Sequence, residues 1–213
     1  MDGPDVNVYL FRHAESMANV DRHLIGGRSN ESELSELGVQ QSQKLGGYIA
    51  RATIKPVAIY ASPAVRTFDT ALIATSEAEL DHSIKIDDRL QELSQGEWTG
   101  KDRAKLYTPK LLAEIRSKGK DFKAPGGESM NEVGERMLEA IDDFSFENAP
   151  RTLYEAPTIY VFTHGLAIRC LASYIHNWSH HRTYSTNVPN ASITHFTRGG
   201  GNWRLQYLGR PTQ

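Results

Sequence analysis

The chain has 213 residues, of which 39% are hydrophobic and 23% are charged. That length can bury the core of one enzyme-sized domain, and we expect a single domain over residues 1–213. Its 24 basic side chains nearly balance 26 acidic ones, which excludes the strong positive field of a typical nucleic-acid-binding protein. The single cysteine, Cys170, excludes an internal disulfide and is expected to be a small buried residue.

The sequence also lacks signals for membrane insertion or secretion. It contains no run of 18 apolar residues, and its first residues lack the basic and apolar pattern of a secretory signal. We therefore expect a cytoplasmic protein with no membrane partner. The sequence does not determine the oligomeric state, and a homodimer is one option.

The first half of the chain alternates predicted strands with predicted helices. Residues 6–11 are rich in β-branched and aromatic side chains and predict a strand, as do residues 57–62. Ser35 is a good N-cap for an amphipathic helix over residues 35–52. A second helix is predicted over residues 62–77, with Ser62 as its N-cap and a proline at its first helical position.

The middle of the chain is less regular. Residues 83–90 alternate apolar and polar side chains and predict a short or edge strand. Residues 96–127 are basic, bounded by glycines and helical in pattern over residues 109–117. We interpret this segment as a helical insertion that covers the active site. An amphipathic helix is predicted from about residue 130 to residue 146.

The C-terminal part repeats the pattern of a strand, a glycine and a helix. Residues 158–164 predict a strand, residues 165–177 a helix, and residues 192–198 another strand. Residues 196–209 indicate a closing hairpin or edge strand with a glycine turn. The whole alternation predicts an α/β fold, a three-layer α/β/α arrangement with a mostly parallel central sheet.

Polar residues follow the predicted strands at the positions where ligands bind in such folds. Open parallel sheets bind ligands beyond the carboxyl ends of their strands. Arg12 and His13 end the first strand, and His164 ends the strand at 158–164. Arg66 lies one turn into the helix after the second strand, and Glu92 follows the weak strand. We expect these five residues to converge at one sheet edge.

These residue types suit phosphoryl transfer. Arg12 and Arg66 would neutralise a phosphate dianion with planar guanidinium groups, and no metal ion would be needed. His13 is the plausible nucleophile when its ring is neutral. Glu92 is the expected general acid and base, although Glu97 lies close enough in sequence to be an alternative.

Five segments in order resemble the histidine phosphatase superfamily, to which cofactor-dependent phosphoglycerate mutases belong. They are "LFRHAES", "SPAVRTFDTA", "LQELSQGEWTG", "PGGES" and "FTHGLAIR", and the resemblance spans residues 6–196. It implies a phosphohistidine on His13 and an acid at Glu92. It also implies a phosphate pocket formed by Arg12, Arg66 and His164.

The resemblance suggests further contacts to the phosphate. Ser16 and Asn19 would line the pocket, and the backbone N–H of Gly165 would be available at a helix N-terminus. An alternative for Ser16 and Asn19 is that they only cap the first helix. The family's usual glycine after the nucleophilic histidine is Ala14 here, which leaves the expected activity unchanged.

The segment after Trp98 favours hydrolysis over a mutase reaction. Phosphoglycerate mutases carry a longer insertion with paired arginines there, whereas Arg103, Lys105 and Arg116 are scattered in this chain. We expect a metal-independent phosphatase that acts on a small phosphorylated substrate and needs no cofactor. The alternatives are a cofactor-dependent phosphoglycerate mutase and a catalytically weak phosphate-binding module.

A histidine-rich segment raises the question of a metal site. His176 and His180 are four residues apart, as in many metal-binding helices, and His181 adjoins them. No neighbouring carboxylate or cysteine completes a ligand set, so we expect no metal site there. Arg28, His23 and the lysines of the insertion are expected to be solvated surface residues.

Overall fold

The computed structural model describes residues 5–52, 55–81, 83–149 and 156–212. At its centre lies a mixed sheet whose strands are β1 (Val6–Arg12), β2 (Ala58–Ala61), β3 (Ile84–Ile86), β4 (Thr158–Thr163), β5 (Ile193–Gly199) and β6 (Asn202–Arg210). Their order is β3-β2-β4-β1-β5-β6. The first four strands in this order pair in parallel. Strand β5 pairs antiparallel with β1, and β6 pairs antiparallel with β5. The predicted mostly parallel sheet is confirmed.

Helices cover both faces of this sheet. They are α1 (Met17–Val20), α2 (Glu36–Ala50), α3 (Val65–Glu77), α4 (Arg103–Leu106), α5 (Pro109–Lys118), α6 (Met130–Glu147), α7 (Gly165–His176) and α8 (His180–Ser185). One hydrophobic cluster packs α2 and α3 on one face, and another packs α6 and α7 on the opposite face. Strand β1 joins both, because Leu10 belongs to one cluster and Phe11 to the other. The three-layer prediction is confirmed.

None of the helices within the described ranges combines the length and the apolar character needed to cross a membrane.

The predicted hairpin at residues 196–209 is confirmed, since β5 and β6 pair across a turn at Gly200 and Gly201. Both glycines have positive φ angles, which favour glycine at these two positions.

The strand predicted at residues 83–90 is both short and at the edge of the sheet, as expected, but it covers only three of those residues. Only Ile84–Ile86 pairs with β2, and residues Asp88–Leu90 form a 3₁₀ turn. The turn forms because the Asp87 carboxylate accepts a hydrogen bond from the Arg89 N–H at 2.8 Å. This side chain competes with continued pairing, as short polar side chains often do.

The two helix starts predicted from serines had different outcomes. Ser35 caps α2 as predicted, because its Oγ accepts a hydrogen bond from the Gly38 N–H at 3.0 Å. The prediction for Ser62 was wrong, since α3 begins at Val65 with Ala64 as its N-cap. The physical reason is that the Ser62 hydroxyl lies 2.9 Å from His164 Nε2 and is used by that imidazole.

The segment predicted as an insertion packs on a loop near the strand ends. Trp98 and Ala124 form a small buried cluster with Ile25. The Ile25 N–H donates to the Lys101 carbonyl, and the Arg103 N–H donates to the His23 carbonyl. The segment at residues 96–127 therefore supports the loop at residues 23–29.

The contact between α6 and α7 depends on the absence of a side chain at Gly134. A Cβ atom there would lie 2.6 Å from Tyr174 Cβ and 2.8 Å from the Cys170 carbonyl oxygen. Cys170 is buried in this contact, as predicted, and burial raises the pKa of its thiol. The two helices can approach this closely only because residue 134 is glycine.

We predict that Gly134→Ala destabilises the fold by about 1–3 kcal/mol, because the added methyl group overpacks the interface between α6 and α7. Gly47→Ala in α2 is the matched control, since its Cβ would meet only Arg51 Nη1, at 3.7 Å. The control is expected to gain about 0.5–1 kcal/mol from helix propensity. Urea unfolding of both variants measures the difference, and equal stability of the two would contradict this account of the interface.

Candidate active site

The parallel strands end at the same level, which brings their following residues together. Arg12 at the end of β1 is in register with Thr163 of β4, and Ala61 at the end of β2 is in register with Phe162. The residues that come next along the chain are His13, His164 and Ser62. The ring centroids of His13 and His164 are 5.1 Å apart.

A small polar cavity of about 120 Å³ lies at this edge of the sheet. Six of the site residues that the sequence predicts line this cavity, whereas His164 and Gly165 do not. Glu97, the alternative acid, is an exposed residue that does not line it. The lining residues are Arg12, His13, Ser16, Ala18, Asn19, Gly26, Gly27, Ser29, Arg66 and Glu92.

The His13 ring is buried and held in one tautomer. Its Nδ1 lies 2.7 Å from the Ala14 carbonyl oxygen, which can only accept a hydrogen bond. Nδ1 therefore carries the proton, and Nε2 accepts a hydrogen bond from Arg66 Nε at 3.3 Å. Burial lowers the pKa of His13 well below its usual value, and the charges of Arg66 and Arg12 lower that pKa further. The ring is thus neutral, and Nε2 carries no proton.

Arg66 is held by hydrogen bonds from all three of its nitrogens. Nη1 donates to the Ser29 carbonyl at 2.7 Å, and Nη2 donates to the Arg28 carbonyl at 2.9 Å. Nη2 also lies 3.2 Å from His164 Nδ1. Burial lowers the pKa of the Arg66 guanidinium, and the carboxyl group of Glu92 counters this effect. The guanidinium therefore has a fixed orientation at the cavity wall.

Arg12 has free hydrogen-bonding capacity at the cavity. Nη1 donates to the Val188 carbonyl at 2.7 Å, whereas the buried Nε has no partner among the described residues. Ser16 Oγ is likewise buried without a partner there. Buried polar atoms normally find partners, so these two atoms indicate a place for a polar ligand. A Cβ at residue 165 would lie 2.9 Å from Arg12 Nε, so Gly165 leaves room for this guanidinium.

His164 is fully buried beside Arg66 and is not among the residues that line the cavity. Its Nδ1 accepts from Arg66, which leaves the proton on Nε2, next to the Ser62 hydroxyl. Burial lowers the pKa of His164 well below its usual value, and so does the nearby Arg66 charge. The phosphate contact expected from His164 stays a prediction. The sequence did not reveal its partner Ser62, which was assigned to a helix cap.

The Glu92 carboxyl group is fixed by backbone N–H groups at the start of α7. Its Oε2 accepts from Leu166 at 3.1 Å, and its Oε1 accepts from Ala167 at 3.0 Å and from Leu93 at 2.9 Å. A helix N-terminus attracts negative charge, so this is a natural place for a carboxyl group. Of the two acids that the sequence left open, only Glu92 lines the cavity.

Asn19 both caps α1 and lines the cavity. Its Oδ1 accepts from the Ser16 N–H at 3.2 Å and from Asn190 Nδ2 at 3.1 Å. Asn190 Nδ2 also lies 3.0 Å from the His13 carbonyl oxygen. The two interpretations of Ser16 and Asn19 are therefore compatible. Asn190 was missed because the sequence around it indicated only a strand start.

Within the ranges that the structure describes, no group of three or more His, Cys, Asp or Glu side chains is placed to hold a metal ion. The positive charge at the cavity comes from Arg12 and Arg66, and the groups suited to proton transfer are His13 and Glu92. Such a cavity can bind a small anion, attack it with an imidazole nitrogen and exchange a proton with it.

Comparisons with known proteins identify the family of this chain. A "Probable phosphoglycerate mutase GpmB" of Proteus mirabilis is 29% identical over 93% of this chain and 87% of its own length. A "Putative phosphoserine phosphatase 2" of Hydrogenobacter thermophilus is 26% identical over 95% of each chain. The structure of a mycobacterial glucosyl-3-phosphoglycerate phosphatase matches the fold with a TM-score of 0.81, at 22% identity over 97% of this chain and 99% of that chain. Residues 8–210 match the sequence profile of the histidine phosphatase superfamily (branch 1), and the chain belongs to that superfamily.

Proposed function

We propose that the protein is a phosphatase that hydrolyses a small phosphomonoester through a phosphohistidine on His13. The observation that carries this proposal is the state of the His13 ring at the cavity. A neutral Nε2 lies 3.3 Å from Arg66 Nε, in the same small cavity as Arg12 and Glu92. A neutral imidazole nitrogen beside two guanidinium groups is suited to attack a bound phosphoryl group.

The arginines supply the electrostatic part of the reaction. Arg12 and Arg66 together offset the two negative charges of a phosphomonoester, and they remain charged throughout the reaction. The unpaired Arg12 Nε and Ser16 Oγ would each gain a phosphate oxygen as a partner. Charge that spreads over the phosphoryl oxygens in the transition state is stabilised in the same way.

The chemical steps balance with the groups at hand. His13 Nε2 forms a bond to phosphorus while the bond to the ester oxygen breaks, and protonated Glu92 gives its proton to the departing alcohol. Glu92 then takes a proton from a water molecule, whose oxygen attacks phosphorus and breaks the bond to Nε2. Inorganic phosphate leaves, and both residues return to their starting states.

The basic residues of the insertion support hydrolysis over the mutase alternative. A mutase must retain a bisphosphate, which calls for a second group of cations near the first. Arg103 instead lies over the Tyr107 ring, and Arg116 donates to the Leu112 carbonyl. Lys105 lies 3.9 Å from a carboxylate oxygen of Asp102. None of these three cations lines the cavity.

We predict that the protein releases inorganic phosphate from one or a few phosphomonoesters and does so in excess chelator, because arginines provide the positive charge. The panel includes 3-phosphoglycerate with and without the 2,3-bisphosphate. Formation of 2-phosphoglycerate without free phosphate would identify a mutase instead. Phosphate binding without turnover of any ester would identify a binding module, and activity that requires added magnesium or zinc would contradict the metal-independent mechanism.

We predict that His13→Ala lowers turnover by at least about 10³-fold, since the proposed mechanism places the phosphoryl group on this imidazole. The folded state should persist, as measured by circular dichroism, because the small cavity can admit water. His181→Ala, an exposed histidine in α8, is the control and should retain full activity. Denatured parent enzyme quenched during turnover should carry phosphohistidine, and His13→Ala should not. Turnover of His13→Ala within tenfold of the parent would exclude the intermediate.

A neutral His13 also predicts how stability depends on pH. The folded-state pKa lies below the unfolded value of about 6.5, so the unfolded chain binds more protons below that pH. Stability that is complete above about pH 6.5 is therefore lost as pH falls. Between pH 6.5 and 5 the free energy of unfolding of His13→Asn should fall less steeply than that of the parent, by about 1 kcal/mol per pH unit. Urea unfolding across this range measures both slopes, which should agree above pH 7.5; equal slopes below pH 6.5 would contradict a neutral His13.

A further inference from the structure

Helix α6 is connected to the cavity by a network of three charged side chains that do not line it. The network consists of Arg28, Glu128 and Arg136. Arg136 extends from α6, and its side chain is 14% exposed. Its Nη1 donates to the Arg89 carbonyl at 2.6 Å, and its Nη2 lies 3.3 Å from the Glu92 carbonyl oxygen. Arg136 therefore holds both ends of the short segment that carries Glu92.

Glu128 links that segment to the opposite wall of the cavity. Arg136 Nε and Nη2 donate to its two carboxylate oxygens at 2.9 and 3.0 Å. The same carboxylate accepts from the Ser94 N–H at 2.8 Å and from Arg28 Nη2 at 3.1 Å. Arg28 in turn offers its carbonyl to Arg66. One carboxylate thus connects the backbone around Glu92 with the loop that orients Arg66.

We propose that Arg136 and Glu128 are positioning residues that set the place of the Glu92 carboxyl group relative to His13 and Arg66. This inference rests on the proposed function, because it assigns to Glu92 the transfer of a proton to the departing alcohol. Neither residue touches the cavity, so their effect on the reaction passes through Glu92 and Arg66.

The geometry explains why this position depends on an arginine. A guanidinium fork can bind a carboxylate with two parallel hydrogen bonds and still donate to two carbonyls, whereas an ammonium group cannot match this planar set. If the Arg136 guanidinium is removed, two kinds of hydrogen bond still hold the segment around Glu92. They are the bond from Thr163 Oγ1 to the Leu90 carbonyl and the bonds from the α7 N–H groups to the Glu92 carboxyl group. A general acid must lie within hydrogen-bond reach of the leaving oxygen, and a shift of about 1 Å can cost about 10²-fold in rate.

The test compares esters that need the acid to different extents. An alkyl phosphate needs a proton on its leaving oxygen, whereas 4-nitrophenyl phosphate has a leaving group that departs as an anion. For Arg136→Lys we expect kcat/KM for the alkyl ester to fall about 10–100-fold and to fall at least tenfold less for 4-nitrophenyl phosphate. Glu128→Gln, which keeps the size of the side chain, should show the same pattern. Glu92→Gln should show it most strongly.

Arg198→Lys is the matched control. Arg198 is 11% exposed, and its Nη1 lies 2.9 Å from Asp142, also in α6. We expect kcat/KM of this variant to fall by a small factor that is the same for both esters. Thermal unfolding of each variant accompanies the kinetics, so that a loss of folding is recognised.

The outcomes separate the inference from the function on which it rests. If the parent hydrolyses both esters and the Arg136→Lys and Glu128→Gln losses are the same for both, the positioning role is wrong. Unfolding of both variants while Arg198→Lys stays folded would also overturn it, because the network would then be structural. If the parent releases no phosphate from any ester, the proposed function itself has failed.

Discussion

The site depends on burying two guanidinium groups beside each other without a full set of carboxylate partners. Arg66 is 3% exposed, and its hydrogen bonds go to two carbonyls and two imidazoles. Arg12 is bound to one carbonyl and leaves Nε unpaired. Removing such charges from water is costly unless counter-ions accompany them, and Glu92 is the only carboxyl residue among those that line the cavity. The fold therefore fixes the loops that carry those carbonyls, and it leaves an excess of positive charge that an anion can neutralise.

The N-terminus of α7 has a use that the sequence did not suggest. The N–H groups of Leu166 and Ala167 bind the Glu92 carboxyl group, whereas a phosphate contact from the Gly165 N–H stays a prediction. The positive end of this helix thus holds the acid beside the two arginines. Because α7 follows β4 directly, the position of Glu92 is tied to the same sheet edge as His13.

The sequence predicted the layers, the mostly parallel sheet and most of the cavity residues, because hydrophobic periodicity and parallel strand ends determine them. It could not separate Glu92 from Glu97, since both follow the same weak strand and only the contact with α7 distinguishes them. Ser62 was misassigned because a serine before a proline has the local pattern of a helix start, while its actual partner, His164, is about 100 residues away. Arg136 has the pattern of an ordinary polar position on an amphipathic helix, and only tertiary contacts show that it holds the Glu92 segment.

The hydrogen bonds around Arg66 also connect the two histidines. Arg66 donates to His13 Nε2 and to His164 Nδ1, so both rings must be neutral and must carry their protons on the opposite nitrogens, next to Ala14 and Ser62. Protonation of either ring would place an N–H group against a guanidinium N–H and remove one of these bonds. A phosphoryl group on His13 Nε2, as proposed, would occupy the lone pair that Arg66 Nε now uses and would release that donor toward a phosphoryl oxygen. In the free site Arg66 Nε stays on the nucleophile. Its release on phosphorylation would add a donor to the phosphoryl group only in the reacting state, which would favour that state over the bound substrate.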